Sequence, residues 1–325
     1  MERERDGDNP WQAIIDIGTN TVLLLLARPR AGEAALEVAD DRAIITRLGE
    51  GVAQRGELSP AAIARTLDAL RNHRAAAEEL GAEIVAVTTE GVRLARNPDD
   101  FLVPAAAVLG VPVRMISGEE EARLSYLSVA RESGGGTLRV IDIGGASTEL
   151  VVGEGEAVLE AVSHPIGSVR LTERFISSDP PARGAIREIE EEVRRVLAGQ
   201  PLTPFPCLWG LAGTVTTAAA LLLGLDRYDR DRVDGSEHAL GSLIELRDRL
   251  AAQTIDERVS PILERKRADV IVAGITILIG AMEHAGAETL IVRDRGLRYA
   301  LVDRSPVGGP AAPIVGAPEE VTAID

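Results

Sequence analysis

Ile15-Asp16-Ile17-Gly18-Thr19-Asn20-Thr21 and, near the middle of the chain, Ile141-Asp142-Ile143-Gly144-Gly145-Ala146-Ser147 are two versions of one phrase. Each sets an aspartate at the end of an apolar run, follows it with glycine and small residues, and then resumes as a strand-like run at 22–27 or 149–152, the second opening on Glu149. Runs of that length on either side of turn residues read as strand, tight turn, strand. Asp and Gly alone are common in turns, but here the apolar flanks match as well, so the repeat points to two related domains.

The neighbouring segments make both halves α/β. In the first, Ser59 and Pro60 open a helix as cap and first-turn residue, Ile63, Leu67 and Leu70 form its apolar stripe, and Gly81 ends it. Strands are expected at 13–17, 84–87 and 111–116, with a helix near 99–109. Ser117-Gly118-Glu119-Glu120 matches a capping box that starts a helix running to about residue 130, and Ser133-Gly134-Gly135-Gly136 is the candidate linker. In the second half, a strand at 138–143 joins the one at 149–152, and helices are expected at 168–175 and 185–197. A strand and helix follow over 207–223, then helices at 241–252 and 267–285, a strand at 290–292 and a last helical turn at 296–302. The expected domains are 11–131 and 132–304, between disordered tails at 1–10 and 305–325.

Composition narrows the function classes. A chain of 325 residues that is 45% apolar can bury two cores, and with only 2% aromatic residues those cores must be aliphatic. So few aromatics argue against a stacking platform for single strands, and a formal charge of −16 disfavours nucleic acid and anionic membranes as partners. Lys266 is the only lysine, so a polyanion would have to be gripped locally and mostly by arginine. Cys207 stands alone and reads as a buried core residue, while His73, His164, His238 and His284 lack short ligand spacing. The charged N-terminus has no signal core and the apolar run at 270–282 is too short to span a bilayer, so a cytoplasmic location is expected.

A glycine turn lets backbone N–H groups approach an anion, and 18–21 and 144–147 both meet that need. Neither has the spacing and lysine of a P-loop. Asp16 and Asp142 would lie at the mouths of the turns, as turn caps or as hard oxygen ligands for Mg²⁺, directly or through water. Glu120 closes the capping box and Glu119 can pair with Arg123, which leaves Glu121 without a local task. It shares a helix face with Leu124 and Ser125, and a partly desolvated carboxylate there suits a general base. Arg93 could bind phosphate or form a surface ion pair. Glu149 could be a second metal or water-orienting carboxylate, or a solvent-facing strand residue. Gly213-Thr214 opens a helix whose N-terminus is a natural phosphate site.

With these residues in place the chain resembles the exopolyphosphatase/guanosine pentaphosphate phosphohydrolase (Ppx/GppA) family in its short form, over about residues 13–302. The matching pieces are Asp16 to Thr21, Thr89 through Arg93 to Asn97, Ile116-Ser117-Gly118 leading to Glu121-Ala122, and Asp142 to Glu149. Beyond these come Pro165-Ile166-Gly167 with Arg170-Leu171, Gly213-Thr214, Arg267-Ala268-Asp269 with Gly274, and Gly296-Leu297-Arg298. The resemblance implies two actin-like (ribonuclease H-like) α/β domains of the actin and sugar kinase superfamily, with the site in the cleft between them. It implies that Glu121 activates the attacking water and that Asp142 and Glu149 support the metal and water arrangement, with Asp16 in the metal site. Thr19, Asn20, Arg93, Gly144, Gly145 and Ser147 would contact phosphate, with Arg267 as a further anchor. The ion would be Mg²⁺, with Mn²⁺ as an alternative. The substrate would be polyphosphate or a phosphorylated guanine nucleotide, and a homodimer is compatible with it. Ala146, Glu90-Gly91 and Tyr299-Ala300 depart from the family pattern. Two rivals remain: an ATP-dependent phosphotransferase of the same superfamily, and a non-catalytic sensor of alarmone or polyphosphate.

Overall fold

The computed structural model describes residues 9–30, 36–200 and 202–302; the tail expected at 305–325, and all but the last two residues of the one expected at 1–10, lie outside the described residues. Two sheets organise the chain. The first runs β3 (Leu36–Ile45), β2 (Thr21–Pro29), β1 (Gln12–Ile17), β4 (Glu83–Thr88), β5 (Val113–Met115). The second runs β10 (Glu237–Ala239), β11 (Thr289–Val292), β9 (Cys207–Leu211), β6 (Thr137–Ile143), β7 (Thr148–Glu154), β8 (Ala157–His164).

Their wiring is the same. β1 pairs antiparallel with β2 and parallel with β4, just as β6 pairs antiparallel with β7 and parallel with β9. β3 and β8 extend the two hairpins, β5 and β11 extend the parallel sides, and β10 is an added antiparallel edge. The repeated phrase is thus the first hairpin of each of two copies of one α/β unit, the two-domain architecture of the actin-like fold.

Strands buried on both faces explain why they read as unbroken apolar runs. All six residues of β1 are buried. The first core gathers Ile15, Ile17, Leu24 and Leu26 with Leu70, Ala77 and Phe101 from the helices Pro60–Glu79 and Asp99–Leu109. The second is built around the almost wholly apolar helix Ile271–Ala285. Two elements bind the halves together. The helix Gly118–Ala130 lays Ala122, Tyr126 and Val129 on β6 and β7, while Tyr299 and Val302 pack against Ile14 and Leu25 of the first sheet.

Several local expectations are corrected. β3 and β8 carry mixed, half-exposed residues without a clean alternation, so ladder hydrogen bonds to a hairpin define them and no sequence signal does. Only half of the capping box forms: Ser117 Oγ accepts the Glu120 N–H at 3.1 Å, but the Glu120 carboxylate turns to Arg114. The helix expected at 267–285 is divided into Arg265–Ala268 and Ile271–Ala285, a break that aims Arg267 at Gly213 while Asp269 pairs with Arg47. Cys207 is half-buried, not in the core.

Candidate active site

Asp16 and Asp142 end equivalent strands and open onto the same cavity, about 370 Å³ in volume, between the two halves. Gly18 N–H donates to Thr21 O at 3.0 Å and Gly144 N–H to Ser147 O at 3.0 Å, so the two turns close in the same way. They also touch: a Cβ at Gly145 would stand 3.1 Å from Thr19 Cβ, and Thr19 fits against Gly49 and Gly91 as well. Among the described residues the amides of Thr19, Asn20, Gly145 and Ala146 make no intrachain hydrogen bond, and such paired turns form a concavity for an anion.

A third donor set lies across the cavity at the start of the helix Ala212–Leu222. Ala212 is held at φ 69°, in the left-handed region, which swings Gly213 and Thr214 onto the cavity wall. Arg267 is anchored there through Nη1, 2.9 Å from Gly213 O and 2.8 Å from Thr217 Oγ1. Gly274 lacks the side chain that would collide with Thr214, since a Cβ there would be 2.6 Å from Thr214 Oγ1.

Four carboxylates form the acidic centre. Register places Asp142 opposite Glu149 on β6 and β7, and the Gly118–Ala130 helix brings Glu121 and Ser125 over them. The Ser125 hydroxyl donates to Asp142 Oδ2 at 2.6 Å, and Ser163 Oγ to Glu149 Oε1 at 2.7 Å. Asp16 Oδ1, Glu121 Oε2 and Glu149 Oε2 are buried with no donor. Burial pushes the Asp16 carboxyl up to about 7, against the pull of Arg298 and with the added repulsion of Asp142. Burial, then Asp142, lifts Glu149 to about 8. Glu121 is raised by burial and by Glu149, Asp142 and Asp16, with Arg93 opposing, and Asp142 is raised by burial against Ser125 and Arg298. Four like charges in so little water cannot all ionise without counter-charge.

Of the expected residues, Asp16, Thr19, Asn20, Glu121, Asp142, Gly144, Gly145, Ser147, Gly213, Thr214 and Arg267 line this cavity. Two expected residues do not line it: Glu149 is buried behind its wall, 1% exposed between Asp142 and Ser163, whereas Arg93 is solvent-exposed and lies against Gly118. The expected metal trio of Asp16, Asp142 and Glu149 does not converge. Among the described residues no three acidic, His or Cys side chains are spaced to ligate one ion, because Asp16 belongs to the other sheet and Glu149 is turned to Ser163. The unpartnered carboxylate oxygens still fit a Mg²⁺ ion that keeps most of its waters and takes one or two protein carboxylates.

The profile of the Ppx/GppA phosphatase family matches residues 27–305. The chain belongs to that family. It is 37% identical over 305 residues to Exopolyphosphatase 2 of Mycobacterium tuberculosis, covering 88% of this chain and 95% of that protein. The solved Ppx/GppA enzyme of Aquifex aeolicus superposes with a TM-score of 0.75 at 36% identity, over 90% of this chain and 98% of the other. An exopolyphosphatase structure from Cytophaga hutchinsonii, 24% identical, shows the same fold with a TM-score of 0.81 over 89% and 96% of the two chains.

In this Ppx/GppA chain Arg298 and Tyr299 join a cluster whose other members, Asp41 and Arg230, carry no clear sequence signal. Asp41 of β3 accepts both Nε and Nη2 of Arg298, at 3.1 and 2.7 Å, and the Tyr299 hydroxyl at 2.6 Å, while Arg230 Nη2 lies 2.5 Å away. Tyr299 thus helps clasp Arg298 beside the two aspartates. The sequence signal is poor, because Asp41 sits on an edge strand of mixed polarity and Arg230 opens a one-turn helix, Arg230–Val233, in a charged stretch. Ser125 was more legible, four residues after Glu121 on the same helical face.

Proposed function

We propose that the chain releases terminal orthophosphate from polyphosphate, guanosine pentaphosphate or both, by attack of a water that Glu121 activates. The observation that carries this reading is the Glu121 carboxylate: buried, raised above the ordinary range and bare at Oε2, it stands where two touching glycine turns leave amides for an anion. A water held by Oε2 would lose its proton to that oxygen as its own oxygen attacks the terminal phosphorus, and the bridging oxygen would leave with the shortened chain. The amides of both turns, Ser147, the 213–214 helix start, Arg267 and, from beside Glu121, Arg93 would hold the phosphates. Mg²⁺, or Mn²⁺ in its place, would be held by Asp16 and Asp142 with Glu149 behind them, and would neutralise the phosphoryl oxygens. A cytoplasmic setting belongs to the same reading; among the described residues no helix is long and apolar enough to cross a membrane.

The test is a phosphate-release panel in Mg²⁺ over short and long polyphosphate, guanosine pentaphosphate and ATP, with Glu121→Ala alongside. The variant should lose roughly 10²–10⁴ in kcat while still binding substrate, the usual value of a positioned base. Ordinary turnover by Glu121→Ala would remove the base. Adding candidate acceptors separates hydrolysis from phosphotransfer, and ligand-driven closure with no turnover would mark a sensor.

A further inference from the structure

Glu90 is buried between two arginines that belong to opposite halves of the molecule. Its Oε1 is 2.8 Å from Nη2 of Arg170, and its Oε2 is 3.6 Å from Nη2 of Arg93. Both guanidinium groups are fixed independently of it. Arg93 donates through Nη1 to Ile116 O at 2.8 Å, and Arg170 through Nη1 to Pro165 O at 3.0 Å. The Arg170 backbone N–H is tied in turn to Gly145 O at 3.0 Å, in the second glycine turn. Two forks are therefore held facing one small anion, each with one nitrogen turned toward it.

The carboxylate fills that place poorly. At 3.6 Å its second oxygen is too far for a hydrogen bond to Arg93, whose Nη2 lies instead over Gly118, where a Cβ would be 3.5 Å away. Gly118 is the first residue of the helix that carries Glu121, and the Arg93 charge bears on Glu121 just as the Glu90 charge bears on Glu149. A phosphate group has more oxygens and more charge than a carboxylate, and guanidinium forks take it with two parallel bonds.

We propose that the Glu90 carboxylate is an internal anion that occupies Arg93 and Arg170 until a phosphate oxygen replaces it, so that Glu90 sets how tightly the site grips phosphoanhydrides. The proposal rests on the reading of Arg93 as a phosphate contact. Other cross-cleft bonds remain when Glu90 is changed, among them Arg47 with Asp269 at 2.7 Å and Gly51 N–H with Glu173 Oε1 at 2.8 Å.

Calorimetric titration of the full chain in Mg²⁺ with inorganic pyrophosphate, and separately with orthophosphate, tests it. Glu90→Gln should bind pyrophosphate about tenfold more tightly than the natural chain, since one charge-assisted contact no longer has to be broken first. Its KM for a phosphoanhydride should fall by a similar factor without a matching rise in kcat. Glu90→Asp, which keeps the charge but is one carbon shorter, should fall between the two, and Glu90→Ser should behave like Glu90→Gln if the amide variant does not fold. In an Arg170→Gln background the gain should shrink to less than about threefold, as expected when the two changes act on one contact. A brace between the halves gives the opposite sign, so unchanged or weaker binding in all three Glu90 variants, or no binding by any of them, overturns the proposal. Failure of the natural chain to release phosphate from any substrate would instead overturn the proposed function, and the titrations would still decide the role of Glu90.

Discussion

The two glycine turns have one backbone and two chemistries. Gly18 and Gly144 make the same bond at the same length, yet Asp142 accepts a hydroxyl from Ser125 while Asp16 keeps a bare oxygen and a carboxyl raised to about 7. Over the second turn the helix that precedes β6 brings a hydroxyl donor and the candidate base to the aspartate. Over the first, Asp16 has no such donor among the described residues, and the charge of Arg298, held by Asp41, acts on both acids. Duplication kept the part of the unit that depends on backbone geometry. What lies above each turn was free to differ, and one side became a prepared acid while the other became an acid short of positive charge.

If that contrast is right, metal-free protein should respond strongly to pH. Asp16 and Glu149 stay protonated in the folded chain up to about 7 and about 8, but ionise near 3.8 and 4.5 when it unfolds. The folded state then holds more protons across that window, so stability is greatest at its acid end, falls as pH rises and levels off near 8. Thermal unfolding in chelator checks the slope, and saturating Mg²⁺ should flatten it; a melting temperature that climbs with pH would mean the chain already neutralises both acids.

Asp41→Ala probes the Arg298 side of the contrast. It strands a buried guanidinium, which should lower the unfolding free energy by roughly 3–5 kcal/mol in a denaturant titration. A loss near zero would show that Asp16 does not depend on that clasp.

Ser125→Ala takes away the donor that only the second turn has. Activity at limiting Mg²⁺ should drop by about 10–100-fold, the usual weight of a partner that orients a metal-site carboxylate, with a smaller loss at saturating ion. Equal loss at every concentration would place Ser125 outside the metal response. Ser117→Ala, which uncaps the helix that carries both Ser125 and Glu121, should cost only about 1 kcal/mol of stability and leave kcat intact.

The strong signals in the sequence were local ones. Buried strands such as β1, apolar but for Gln12 at its start and Asp16 next to its end, and the capped helix at Ser59 obey rules that reach only a few residues along the chain, and they stand where expected. Glu121 could be singled out because its two neighbours could be given local tasks. The Glu120 carboxylate nonetheless pairs with Arg114 rather than closing the box on Ser117, and among the described residues Glu119 makes no ion pair with Arg123. β3 was opaque because an edge strand with mixed polarity is defined by its partner, and with it Asp41 was lost.

From residue order alone came the duplicated hairpin, the α/β character and most of the side chains around the cavity, since period, turn chemistry and a repeated phrase are properties of neighbours along the chain. Only the folded molecule decided that the two turns touch, that Glu149 stands behind the wall and Arg93 outside the cavity, that the acids do not close on one ion, and that Glu90 lies between two arginines. Those are relations across the cleft, governed by burial and by Coulomb forces between residues far apart in sequence, and both depend on distances that exist only once the two halves have packed.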